Sequence, residues 1–284
     1  SQLSCEVGAL QLGQATYGSY HTPQGRMLAT CLLLRDARGY LIQLPRSLCA
    51  PILDRLSTYI LRAQVKAVDA SDAHALIGIS GAHAEAALQS LFMSVPATAL
   101  TMAADPKAGV LRLDARRFEV VAPTSELPGL LDALGKHATR VAPEGWDLTD
   151  IRAGIPVITP ATQDQFVAQM ANLDLIGGVS FNKGCYPGQE IVARMHYLGR
   201  LKQRMYLANI ITRSPPQPGD KLYSVATGEQ SSGMIVNAAP SPDGGYDVLA
   251  VMRIECAAAG DAHLSSLDGP LLALLPLPYK VVSD

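Results

Sequence analysis

No apolar run in this chain is long enough to cross a bilayer: the longest, such as Leu28 to Leu34, fall well short of the roughly 20 residues a span requires. The hydrophobic material is cut into short pieces that must be gathered from many places into a core. With 284 residues, 48% of them hydrophobic and 17% charged, the chain has the composition of a compact globular protein and not of a disordered one. That length permits one large domain or two ordinary ones. The 23 basic and 25 acidic residues leave a net charge of -2, so no global field draws the chain to a polyanion and any nucleic-acid contact has to be local. One Trp and four Phe also make it poor in aromatic platforms.

The five cysteines, at positions 5, 31, 49, 185 and 256, are odd in number and have no close pair. Free thiols in a reducing compartment follow, and with them an expected cytoplasmic location.

Leu28 to Leu34 and Tyr40 to Leu44 flank the turn-rich spacer Arg35 to Gly39 and predict a hairpin. A helix capped by Ser47 follows, with Leu48, Ile52, Leu56, Tyr59 and Ile60 on one face, and Gln64 to Val68 returns to strand-like alternation. Ala75 to Ile79 is the next strand, followed by a helix capped by Ser80 and running to about Phe92. Val110 to Leu113 and Arg117 to Val121 form a second hairpin, and Glu126 to Ala138 is again helical. A strand, strand, helix, strand order that is used twice points to an α+β class, with antiparallel sheet covered by helices.

From Trp146 the chain is broken by Gly154-Ile-Pro156 and Thr159-Pro160, and Thr162 is expected to cap a short helix around Phe166 and Met170. After Gly199 only strands remain, at Arg204 to Ile211, Lys221 to Val225, Gly233 to Val236 and Tyr246 to Glu255. Short strands divided by Gly and Pro turns predict a small C-terminal β-barrel. The expected domains are 1–200, with a subdivision near 75, and 201–284.

The chemistry concentrates between the two. Gly184 and Gly188 bracket Cys185, Tyr186 and Pro187, which places the thiol on a tight turn. Gln189 to Met195 fits a short helix carrying Glu190 and Arg194 four residues apart on one face. From Lys183 to Arg204 five basic residues, Lys183, Arg194, Arg200, Lys202 and Arg204, stand against the single acid Glu190, a local net charge of +4 with His196 and Tyr197 in the same run. Such a field suits an anionic ligand tail or a phosphate and favours the thiolate form of a cysteine. The residues alone leave other accounts open: a buried structural cysteine, a helix-supporting ion pair, or a solvated basic face. No CxxC, HExxH or second ligand at metal spacing accompanies Cys185, and no GxGxxG or GxxxxGK marks a nucleotide site.

Lys183-Gly-Cys-Tyr-Pro-Gly-Gln-Glu190, followed by Ile-Val-Ala-Arg194, resembles the signature of the YgfZ family, bacterial folate-binding proteins related in fold to the glycine-cleavage aminomethyltransferase (T-protein). Thr22-Pro-Gln-Gly-Arg26, Gly154-Ile-Pro156, Gln165-Phe166 with Gln169, Asn172-Leu173, Gly177 to Phe181 and Pro276-Leu-Pro-Tyr279 resemble other segments of that family, so the likeness spans nearly the whole chain. It implies a ring-like arrangement of a folate-binding α+β region and a C-terminal barrel around a central cleft. It also implies tetrahydrofolate or a derivative as cofactor, and a role in assembling or maintaining iron-sulfur enzymes, including radical enzymes that thiomethylate tRNA.

On this resemblance Cys185 is the functional thiol, with Lys183 and Tyr186 beside it, and Glu190 is the pterin contact, with Gln189, Arg194 and Arg26 as further folate contacts. No metal site is implied. The family's N-terminal strand and helix have no counterpart before Ser1-Gln-Leu-Ser-Cys-Glu-Val7, so residues are expected to precede this start. Iron-sulfur proteins are the expected partners of a monomer. The alternatives are a folate-dependent aminomethyl transferase and a weak tRNA contact through the strip 194–204.

Overall fold

The computed structural model describes residues 2–60 and 64–281. The mixed α and β chain divides into two compact units, one of Ser1–Val7, Tyr17–Cys31 and Pro143–Asp284, the other of Gly8–Thr16 and Leu32–Ala142. This division runs along other lines than a break at residue 201. Strands β1 (Ala15–His21) and β2 (Met27–Asp36) each pass from one unit into the other.

In the unit containing Leu32–Ala142, β3 (Gly39–Gln43) pairs with β2 from Leu32↔Gln43 to Asp36↔Gly39, the hairpin expected there. The Asp36 carboxylate accepts the N–H groups of Arg38 and Gly39, both at 2.8 Å, and so closes the turn. Helix α1 (Arg46–Thr58) buries Leu48 and Ile52, but Pro45 and not Ser47 stands at its N-cap, without a side-chain bond. The strand expected at Gln64 to Val68 does not form. Val65 and Val68 are 64% and 59% exposed, and alternation makes a strand only where a neighbour offers its backbone.

The chain continues through β4 (His74–Ser80), α2 (Ala84–Leu91), β5 (Thr101–Ala104), β6 (Gly109–Arg112), β7 (Arg117–Pro123) and α3 (Leu127–Leu134). The four strands form an antiparallel sheet in the order β4-β7-β6-β5. Val110, Phe118 and Val120 on the sheet meet Leu88, Leu130 and Leu134 from the helices in one core. The N-cap of helix α2 is His83 and not Ser80, because Ser80 still belongs to β4 and Gly81 then turns the chain.

The long C-terminal part of the other unit begins with a helix that the sequence did not announce, α4 (Pro143–Arg152): of Trp146, Leu148 and Ile151 only the last two stand at helical spacing, too few to mark an apolar face. Between Gly154 and Gly188 no regular element forms among the described residues. The expected helix near Phe166 is replaced by turns, since Thr162 Oγ1 accepts the Thr159 N–H at 3.0 Å and Asp164 takes a left-handed backbone, φ 60°. This irregular chain is held by side chains acting as backbone partners. Asn172 Nδ2 donates to Met205 O at 2.8 Å, and Tyr279 Oη donates to Gly154 O at 2.8 Å, tying the chain's ending to Gly154-Ile-Pro156.

After α5 (Gln189–Tyr197) come β8 (Gln203–Ile210), β9 (Lys221–Tyr223), β10 (Gly233–Pro240), β11 (Tyr246–Arg253), α6 (Ile254–Ala259), β12 (His263–Leu264) and β13 (Leu272–Leu275). The sheet order is β12-β9-β10-β11-β8-β13, and the bridge His263↔Leu271 brings its two ends together, so it curls on itself as a small barrel should. Met205, Leu207 and Val251 of this sheet share a core with Met27, Phe166 and Val192. Helix α5, which carries the end of the signature, is thereby seated on the sheet through Val192.

Candidate functional site

The signature octapeptide ends in helix α5, and one glycine sets its course. Gly188 is the N-cap at φ 76°, a left-handed conformation that side chains resist. A Cβ there would lie 2.4 Å from Gly25 Cα and 2.6 Å from Thr22 O, so the β1–β2 turn Thr22 to Arg26 is pressed directly against the start of α5. Gly184 is different: nothing lies within 4 Å of where its Cβ would be, so sterics do not demand glycine at that position.

The loop between the glycines is pinned from three sides. Lys183 Nζ donates to Leu3 O at 2.5 Å and Cys5 O at 2.7 Å and sits 5.1 Å from the centre of the Tyr186 ring. Burial lowers its pKa below the ordinary lysine value. Its ammonium therefore works as a clamp on the N-terminal segment. The Gln189 amide oxygen accepts the Tyr186 N–H at 3.3 Å, and Gln169 Nε2 donates to Val192 O at 2.6 Å from beneath the helix.

Cys185 is left exposed by this scaffold, whereas Cys5, Cys31 and Cys256 are buried and Cys49 is partly so. Glu190 and Arg194 are also exposed, and among the described residues they form no ion pair with each other or with any other group, although the helix places them four apart as expected. Arg26 is carried on the turn that meets Gly188, and its guanidinium donates to Gln165 O at 2.5 Å.

Beneath the loop lies a polar chain that sequence reasoning missed. Ser4 Oγ donates to Gly178 O at 2.6 Å, Ser4 and Ser19 hydroxyls lie 2.9 Å apart, and Ser19 Oγ meets His21 Nε2 at 2.6 Å. The protons can be counted. The single Ser4 proton is used on Gly178, so Ser19 must donate to Ser4, and Nε2 of His21 must donate to Ser19. The imidazole is then the Nε2–H tautomer with a bare, buried Nδ1. Its ring meets Tyr186 edge to face at 5.6 Å, and both His21 Nδ1 and Tyr186 Oη are buried without a protein partner. Burial holds His21 down at about 4 and pushes Tyr186 up to about 12, so both are neutral at pH 7. His21 directly precedes Thr22-Pro-Gln-Gly-Arg26, and that adjacency was the one signal available.

A pH dependence follows. The unfolded chain takes up a proton at His21 near the reference 6.5, while the folded chain waits until about 4, so the stability this group contributes is complete above 6.5 and is lost between there and about 4. Spectra of ¹⁵N-histidine-labelled protein should show His21 neutral and protonated on Nε2 throughout that window. A midpoint near 6.5 would refute the burial of the ring, and a neutral ring protonated on Nδ1 would refute the proton count.

The basic strip is only partly a strip. Arg204 is buried, with its guanidinium donating to Asp174 at 2.8 and 3.0 Å and to Gln169 O at 2.8 Å, so its charge is neutralised inside the unit. Arg194, Arg200 and Lys202 are the exposed cations that remain. Alongside them Phe181 and His196 stack face to face, with centroids 3.8 Å apart and planes 14° apart.

These features define a class before they define a family. The chain shares the fold of the glycine cleavage system aminomethyltransferase T from Bartonella henselae, with a TM-score of 0.74 over 98% of this chain and 79% of that one at 16% identity. It is 31% identical over 283 residues to the tRNA-modifying protein YgfZ of Sodalis glossinidius, covering 99% of this chain and 86% of the relative. It is 32% identical over 288 residues to the protein of that name from Yersinia pseudotuberculosis serotype IB, covering 100% and 86%. This chain belongs to the YgfZ family. No protein-family model matches it.

Proposed function

We propose that this protein binds tetrahydrofolate or a close derivative beside the signature loop and acts, through Cys185, as an accessory factor for iron-sulfur enzymes, including those that thiomethylate tRNA. The observation that carries this reading is the contrast within the site: Lys183, Gln189 and Tyr186 are committed to holding the loop, while Cys185, Glu190 and Arg194 are exposed and uncommitted.

The donor set fits a reduced folate. Pterin N–H groups need an ionised acceptor, which Glu190 offers, and the glutamate tail needs a cation, which Arg194 offers, with Arg26 on the adjoining turn as a second. Bound folate would supply a carrier for one-carbon units; the chain's own residues bind and orient it. An exposed thiol is a nucleophile and iron ligand only as thiolate, and a single one cannot hold a cluster alone, so its work is done on a partner.

Calorimetric titration of tetrahydrofolate into the full chain should give micromolar or tighter binding that weakens about tenfold in Glu190→Gln, the loss of a charge-assisted hydrogen bond. Cys185→Ala should bind folate as wild type does, keep its stability, and fail to support tRNA thiomethylation in cells lacking their own copy. Absence of folate binding would overturn the reading. Folate-dependent methylene transfer by the purified protein would replace it with the aminomethyl transferase.

A further inference from the structure

The outer end of α5 carries a surface that the loop does not use and that shares only Arg194 with the folate reading. Phe181 and His196 stack face to face, and Tyr197 stands edge-on to both, 4.7 Å from the His196 ring and 6.2 Å from the Phe181 ring. In a chain poor in aromatic residues, three rings meet at one place. Tyr197 is 64% exposed and Leu198 85% exposed, which is apolar area that no packing inside the unit explains. Arg194 lies one turn back on α5, and Arg200 and Lys202 follow Tyr197 closely in the chain; all three are exposed and, among the described residues, without a carboxylate at ion-pair distance.

We propose that this surface seats an unpaired nucleotide of RNA, its base stacked on the exposed Tyr197 ring and its flanking phosphates met by Arg194, Arg200 and Lys202. Each component has a reason. An exposed ring held edge-on by a stacked pair keeps a π-face open to solvent, the mode by which proteins take bases that a duplex does not hide. Three cations without acids call for a polyanion, yet the burial of Arg204 with Asp174 limits the phosphates they can meet to about three. Binding should therefore be weak and selective for single strands. A membrane surface would use the same charges but wants a broad aliphatic face. Here the apolar area is small, one aromatic and one aliphatic side chain, Tyr197 and Leu198, at one helix end.

The test is fluorescence anisotropy of a labelled oligouridine with the full chain, without folate, so that failure of the folate reading leaves it intact. Expected are a log-log salt slope of about -2, from about 0.7 per phosphate on a single strand, and weaker binding to duplex RNA of equal length. Tyr197→Ala should weaken binding about tenfold at an unchanged slope, and Tyr197→Phe should restore it. Arg200→Gln and Lys202→Gln should each lower the slope by about 0.7. Equal binding by Tyr197→Ala, equal competition by inorganic polyphosphate, or preference for phosphatidylserine vesicles over oligouridine would each overturn the proposal.

Discussion

Gly188→Ala is expected to lower stability by about 2–5 kcal/mol, the sum of about 1–2 for an alanine in the left-handed region and about 1–3 for overpacking. The atoms it would strike are backbone: Gly25 Cα at 2.4 Å, Gly25 N at 2.6 Å and Thr22 O at 2.6 Å, none of which can swing aside as a side chain does. Relief requires the β1–β2 turn to part from α5, and that displaces Arg26 and the signature loop together. Urea unfolding of this variant beside Gly184→Ala checks the claim. The latter meets open space and should stay within about 0.5 kcal/mol of wild type. Equal midpoints for the two variants would show that the contact is not what holds the loop.

Asp174→Ala carries the other large effect, a loss of about 3–5 kcal/mol. Both side chains of the Arg204–Asp174 pair are about a tenth exposed, and removal of the acid leaves a buried guanidinium with only Gln169 O to receive it. The cost comes from the unmatched charge more than from the lost attraction, so the double variant Asp174→Leu with Arg204→Met should recover most of it. Thermal or urea unfolding of the single and double variants closes the cycle. A cost below about 1 kcal/mol for Asp174→Ala would mean that Arg204 reaches water. It would then return to the exposed strip, and the RNA salt slope would steepen.

Much of the site was legible because its signals are local. Cys185 between two glycines, a helix from Gln189 and the change to strands after Gly199 all depend on neighbours in sequence, and α5 and strands β8 to β11 stand where that reading put them, whereas β12, β13 and the helix α6, which takes Ile254 and Glu255 from the expected last strand, were not expected. The octapeptide was specific enough to point to the family through a resemblance, which the full-length likeness to the YgfZ proteins then bears out. The misses share a cause. The strand at Gln64 to Val68 and the helix near Phe166 each had the right residues but lacked the partner strand, or met a left-handed Asp164, and neither fact is written in a local pattern.

By itself, then, the sequence determined which residues are the candidates to carry the chemistry: the thiol of Cys185, the acid and base of α5, and the cations that follow. Only the tertiary structure decided what each is free to do. It drew Lys183 onto the carbonyls of Leu3 and Cys5, sank Arg204 onto Asp174, brought His21 under Tyr186, and singled out Gly188 from Gly184. The physical reason is that burial and pairing are properties of contacts between residues far apart in the chain: residues 1–7 and 17–31 share a unit with 143–284, and no spacing within a motif records who the distant neighbour is.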